Sequence, residues 1–220
     1  MTRTRFHQEL QHLRERLMTM GGMAELAVEL AIRAYTQRDA SYCELVLDGE
    51  SAINSAERQI DELALDLLAM QQPMAVDLRL ILAISKCTAD LERIGDQAVN
   101  IAQRVEDLLG SPPVDLPVDL LRMATLARNM LRRGLNAFAR ADSNEAEAVL
   151  VLDDELDEMN RDAFKAIERA VASRPALAKV ALDVLIIARN LERIGDHATN
   201  IAEDVIFWVR GADVRHHAIT

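Results

Sequence analysis

Residues 90–105 read DLERIGDQAVNIAQRV and residues 190–205 read NLERIGDHATNIAEDV. Eleven of the sixteen columns are identical at an offset of 100, against roughly one expected from average composition. A looser echo at an offset of 103 sets Val46, Glu50, Ile53 and Asn54 against Val149, Asp153, Leu156 and Asp157. The chain is therefore an internal duplication, and its period decides the architecture. Within the first copy, Ile84, Leu91, Ala98 and Val105 recur every seven residues. Cys87, Ile94, Ile101 and Leu108 follow three later, and Ile81, Thr88, Gly95, Ala102 and Leu109 fill the flank. That wide apolar face belongs to a core-facing bundle helix. Gly95 and Gly195 cost about 1 kcal/mol each relative to Ala in a helix interior. Their place on the apolar flank points to close helix–helix approach.

Working outward, the breaks come in the same order in both halves. Arg38-Asp39-Ala40-Ser41 and Asp142-Ser143-Asn144 supply N-caps. Gln71-Gln72-Pro73 and Ser173-Arg174-Pro175 end the next segments, and Pro112, Pro113 and Pro117 forbid continuous helix between the halves. The pattern predicts an all-α fold of two tandem three-helix bundles, residues 1–110 and 118–220, joined by a proline-rich linker at 111–117. Helices are expected near 4–38, 41–70, 75–109, 118–141, 144–172 and 176–210. Gly21-Gly22 is a place where the first of them could bend.

Composition agrees and narrows the function. Half of the 220 residues are apolar and 3% are aromatic, which disfavours an all-β fold. With 25 Lys+Arg and 36 Asp+Glu, the net charge is −11. Nucleic acid, which is gripped by basic patches, is not an expected partner. No run approaches the ~18 apolar residues of a spanning helix, and the start carries no apolar export segment. The reading is a cytoplasmic protein without membrane insertion. Cys43 and Cys87 lie in apolar-periodic stretches and read as buried, reduced thiols.

Chemistry is concentrated on one repeated ridge. Glu92, Asp96 and Asn100 stand at i, i+4 and i+8, away from the core face, and Glu192, Asp196 and Asn200 repeat them. Carboxylates four residues apart on a helix repel by a few tenths of a kcal/mol. A bound hard cation would reverse that sign, because oxygen donors suit such ions. Asp153 and Asp157 offer the same spacing on the neighbouring helix of the second half, so four carboxylates can converge there. The first half offers Glu50 and Asn54, one charge fewer, and its site is expected to be weaker. Solvated charge, with Arg93–Asp96 and Arg193–Asp196 as ordinary ion pairs, is the plainer alternative for either copy. Recurrence in both halves weighs against it.

Other patterns carry less. Glu9-x-x-His12 has the spacing of bundle di-iron proteins but occurs once. His197, which follows Asp196 in only one copy, could cap a site but is expected in solvent, and His216-His217 lie in a polar tail. No phosphate loop, G-x-S-x-G, H-E-x-x-H or Cys/His pair is present, so catalysis is not expected. A carboxylate-bound metal enzyme and a metal-free helical scaffold remain the alternatives to a metal-binding adaptor.

The two Leu-Glu-Arg-Ile-Gly-Asp helices, Asp77-Leu78-Arg79-Leu80 after Gln72-Pro73, and the ending Val209-Arg210-Gly211-Ala212-Asp213-Val214-Arg215-His216 resemble the PhoU family over nearly the whole chain. The resemblance implies a homodimeric, non-catalytic negative regulator of phosphate uptake and of the phosphate-starvation response. It implies action through the phosphate ABC transporter, including its ATPase subunit, and a membrane sensor histidine kinase. It also implies metal clusters on repeated Glu/Asp-x-x-x-Asp motifs, here Glu92 and Asp96, Glu192 and Asp196, and Asp153 and Asp157. Iron, manganese, zinc and magnesium are the candidate ions, with zinc the least natural for oxygen ligands.

Overall fold

A computed structural model describes residues 3–71, 73–212 and 214. His216 and His217 lie outside the described residues. Six α-helices follow one another: α1 Arg3–Gln37, α2 Ala40–Gln71, α3 Val76–Leu109, α4 Leu120–Arg140, α5 Ser143–Ser173 and α6 Ala178–Arg210. Among the described residues there is no strand. α1–α3 pack together as one bundle and α4–α6 as a second.

The ends of the helices follow from local chemistry. Arg38 and Ala141, 103 residues apart, both adopt positive φ (51° and 53°) and stop α1 and α4. The next residue in each half is an aspartate that caps the following helix. Asp39 accepts from the Ser41 backbone N–H, and Asp142 accepts from those of Asn144 and Glu145. α4 begins at Leu120, later than the expected 118, because Asp119 occupies the cap and accepts from the Arg122 N–H. A short 3-10 turn, Pro175–Leu177, delays α6 to Ala178. α1 runs uninterrupted through Gly21-Gly22. Gly21 serves packing instead: a Cβ there would lie 2.7 Å from Leu135 Cδ2 of α4.

The heptad positions of α3 are buried as the sequence predicts, save Leu109, which is half-buried. The burial extends further, to Asp90 and Gln97, because α3 also packs along α6. That contact is the most extensive in the molecule and it runs antiparallel. Arg79 meets Trp208, Lys86 meets Asp204, Asp90 meets His197 and Arg104 meets Asp183. The joint between the bundles is thus a seam carrying polar residues, and the seven-residue spacing of Asp183, Asn190, His197 and Asp204 lines it.

The duplication is visible in packing. Gly95 of α3 faces Ile53 of α2, and Gly195 of α6 faces Leu156 of α5. A Cβ at position 95 would stand 3.0 Å from the Ile53 Cδ1, whereas one at 195 would collide with the fully buried Leu156 Cδ2. Overpacking a core costs about 1–3 kcal/mol, and replacing a helical Gly by Ala returns about 1 kcal/mol. Gly95→Ala is therefore expected to be nearly neutral, and Gly195→Ala to lose about 1–2 kcal/mol in urea denaturation. Equal effects would show that Leu156 relaxes freely.

Candidate metal centre

α5 and α6 lie side by side, and their Glu/Asp-x-x-x-Asp ridges face each other across the groove between them. Ligand oxygens of Asp157, Glu192 and Asp196 lie within 4.8 Å of one another. Asp153 stands beside this trio and is held by Thr199, whose Oγ1 donates to its Oδ1 at 3.2 Å. Glu192 is 6% exposed. Its Oε1 accepts from Arg189 Nη1 and, at 3.5 Å, from Asn160 Nδ2. Its Oε2 is buried and has no hydrogen-bond partner. An orphaned buried carboxylate oxygen costs free energy unless something positive meets it.

The electrostatics describe the same crowding. Burial, then the Asp196 charge, push the Glu192 carboxyl up to about 7, against the pull of Arg189. Asp196 is raised by burial and by Asp157, and Asp153 by burial and by Asp196. Three neighbouring carboxyls raised together form a site that disfavours its own ionised state. The donor set is all oxygen. A hard divalent or trivalent cation fits it: the ion would take the unpartnered Oε2 and neutralise the mutual repulsion.

In the first bundle the ridge residues meet less closely. Glu92 and Asp96 are half-buried against α2 rather than standing on an outer face, since α3 is enclosed by α1, α2 and α6. The Glu92 carboxyl is raised by burial, by Asp96 and by Glu57, with a smaller push from Glu50. Glu57 is a residue that the sequence pattern does not mark. It lies seven residues beyond Glu50 on the same face of α2, at the position matching Asn160 in the repeat. Asn54 removes a charge that Asp157 carries, and Glu57 restores one a turn later. Each ridge pair thus holds four carboxylates. The difference is convergence: among the described residues, only Asp157, Glu192 and Asp196 bring three ligand atoms within 4.8 Å.

The asparagines of the ridges sit elsewhere. Asn100 is exposed. Asn200 turns across the seam, where its Nδ2 donates to Asp90 Oδ1 at 3.0 Å. His197, expected in solvent, is buried at 8% exposure, with Nδ1 2.9 Å from the same Asp90 oxygen. The reason is the seam: one residue after Asp196, the α6 surface already faces α3. Asn160 and Thr199, which hold Glu192 and Asp153, are likewise unmarked in the sequence. Only their helical spacing from the ridge residues, 157 to 160 and 196 to 199, could have pointed to them. Cys43 and Cys87 are buried free thiols, and burial pushes the Cys43 thiol up to about 11, so neither is a ready nucleophile or ligand.

Comparison with known proteins places the chain as a whole. The PhoU domain family model matches twice, over residues 17–105 and 120–205. The chain is 41% identical over 213 residues to a phosphate-specific transport system accessory protein PhoU homolog of Pseudomonas putida, covering 96% of this chain and 83% of that protein. It is 35% identical over 211 residues to the phosphate-specific transport system accessory protein PhoU of Escherichia coli, covering 96% and 88%. The crystal structure of PhoU from Pseudomonas aeruginosa superposes with a TM-score of 0.90 at 37% identity, over 94% of this chain and 100% of that one. The PhoU structure from Streptococcus pneumoniae gives 0.84 at 26%, over 95% and 99%. The twofold match falls on the two bundles, and on these grounds the chain belongs to the PhoU family.

Proposed function

We propose that this protein is a non-catalytic, metal-binding regulator of phosphate transport. It acts as a homodimer in the cytoplasm, restraining phosphate uptake and the phosphate-starvation response through the phosphate ABC transporter and its sensor histidine kinase. The family supports the phosphate-transport role, since its members compared above are named accessory proteins of that system. No helix among the described residues is long and apolar enough to cross a membrane, so contact with a membrane complex would run through partners. The observation that carries the metal reading is the Asp157–Glu192–Asp196 cluster with its buried, unpartnered Glu192 Oε2.

Asp157, Glu192 and Asp196 would hold the ion in the second bundle, with Asp153 at their side. Glu50, Glu57, Glu92 and Asp96 would form a weaker site in the first, weaker because their oxygens converge less. A bound ion supplies positive charge on an otherwise acidic surface, which lets a chain of net charge −11 meet phosphate groups or acidic partner surfaces. A carboxylate-bound metal can also serve hydrolysis. Among the described residues the cluster has no separate general base beside it, and His197, next to Asp196, is turned to Asp90.

The test is complementation of a strain lacking this chain, read together with metal content. Without the protein, phosphate-starvation genes should be expressed even in ample phosphate, and wild type should restore repression. An Asp96→Asn/Asp196→Asn variant should fold, retain less metal after purification and repress poorly. Unchanged metal content in that variant would return the ridges to the solvated-surface reading. Normal repression in the null strain, with no paralogue present, would remove the regulatory one.

A further inference from the structure

We propose that a cation in the second-bundle cluster turns the adjoining Phe164–Leu185–Ile186 pocket into a docking site for a partner segment that combines carboxylates with one apolar side chain. This rests on the metal reading above and adds to it a switch and a partner chemistry.

Two of the cluster's three carboxylates are engaged by arginines of the protein itself. Arg189 Nη1 bonds Glu192 Oε1, and Arg161 Nη1 lies 3.3 Å from Asp157 Oδ2. Asn160 also donates to Glu192. The same three residues, Asn160, Arg161 and Arg189, form the polar rim of a pocket of about 480 Å3 whose other walls are Phe164, Leu185 and Ile186. Phe164 is 57% and Ile186 42% exposed. Large apolar side chains gathered in one concavity, rather than scattered singly, mark an interaction site.

A cation that takes Glu192 Oε2 and oxygens of Asp157 and Asp196 draws on the same carboxylate charges that hold the arginines, Arg189 at Glu192 Oε1 and Arg161 at Asp157 Oδ2. A guanidinium and a metal ion repel, and the ion is held by more ligands at shorter range. Both arginine side chains are about 60% exposed, so each can swing outward about its own flexible stem. Loading therefore leaves two unpaired guanidiniums at the mouth of an apolar pocket. Without the ion, Asp157 and Glu192 pair with them, and Asp196 adds negative charge beside the pairs. In a chain of net charge −11 this rim is a local reversal of sign. Charge complementarity then selects carboxylates, which the arginine fork grips bidentately, and the pocket selects one apolar side chain between them.

The test is a random peptide display selection on the full-length protein, with and without Mn2+, with bound manganese measured by elemental analysis on each sample. Manganese-loaded wild type should enrich peptides bearing Asp or Glu beside Leu, Ile or Phe. Synthetic versions should bind at least tenfold more weakly to the metal-free protein. Arg161→Gln/Arg189→Gln should keep its manganese and lose binding at least tenfold, and Phe164→Ser should lose the apolar preference. If wild type retains no manganese, the metal reading fails and this inference with it. If manganese is retained but nothing enriches, or equal binding persists without metal or in the double arginine variant, this inference alone is overturned. Acidic peptides without an apolar requirement would overturn the pocket's part in it. A manganese-induced self-association abolished by Phe164→Ser would assign the pocket to a second copy of the chain instead.

Discussion

Metal-free protein is expected to lose about 3 kcal/mol of stability as the pH rises from about 4.5 to about 7.5. The Glu192 carboxyl stands at about 7 in the folded protein and near ~4.3 when unfolded. A folded-state value above the unfolded one means that the native state binds the proton more tightly. The resulting stability is complete below about 4.5 and disappears as the pH passes through about 7, at roughly 1.4 kcal/mol for each pH unit that separates the two values. Asp153, Asp196 and Glu92 are raised by burial and neighbouring carboxylates and act in the same direction. The lowered carboxyls, such as Glu145 beside Arg133, titrate below this window and do not compensate within it. Chemical denaturation across the pH range measures the slope. Glu192→Gln should flatten it, since a neutral amide has nothing to ionise. Saturating manganese should reverse it, because the ion binds ionised carboxylates and stabilises the native state by about 2.7 kcal/mol at a hundredfold excess over Kd. A metal-free stability that climbs between about pH 5 and about 7.5 would show that the cluster is well solvated.

How much of this is legible in the sequence depends on which surface a residue serves. The repeat of Leu-Glu-Arg-Ile-Gly-Asp, with apolar residues every seven positions, reports the inside of each bundle. Ile84, Leu91, Ala98 and Val105 are all buried as expected. The caps at Asp39 and Asp142 report the turns, because a carboxylate just after a helix end has a local partner and needs no tertiary context. The ridge pairs Glu92/Asp96 and Glu192/Asp196 are visible as helical neighbours. Their companions are less so: Glu57 occupies the repeat position of an asparagine, and Asn160 and Thr199 are ordinary polar residues until α5 and α6 are brought together.

The seam between the bundles is not legible at all, and the reason is physical. Duplication specifies contacts within a repeat, since both copies must satisfy them, but it does not say how the copies join. At the joint, equivalent positions have diverged. Asp90 corresponds to Asn190 and Gln97 to His197, so the antiparallel packing of α3 on α6 brings together different side chains on either side of its centre. On one side Asp90 gathers His197 and Asn200. On the other, Asn190 bonds back to the Ile186 carbonyl and the Gln97 Oε1 is buried without a partner. Polar residues at such positions read as solvent-facing in one sequence, because a helix wheel has no knowledge of the second bundle.

That asymmetry sets up the second large effect. Asp90→Ala should cost about 2 kcal/mol, because Asp90 is only 6% exposed and one of its oxygens is shared by the buried His197 ring at 2.9 Å and the Asn200 amide at 3.0 Å. Removing the acceptor leaves the buried His197 ring without its partner while the exposed Asn200 amide turns to water, and an unsatisfied buried donor costs about 1–3 kcal/mol. Asp90→Asn keeps an acceptor oxygen and should lose only about 1 kcal/mol. Gln97→Leu, at the mirrored place, should instead be neutral or gain about 1 kcal/mol, since it deletes an unsatisfied acceptor. Urea titrations rank the three. Hydrogen exchange locates the damage: in Asp90→Ala, protection should fall in α3 and α6 around residues 86–104 and 183–204 and persist in α2 and α5. A cost below about 1 kcal/mol for Asp90→Ala, or a loss shared evenly by all six helices, would show that apolar packing alone joins the bundles. The position of His197, one residue from Asp196, gives the result a bearing on the metal centre. The α6 turn that carries His197 into the seam also carries Asp196 of the Asp157–Glu192–Asp196 cluster.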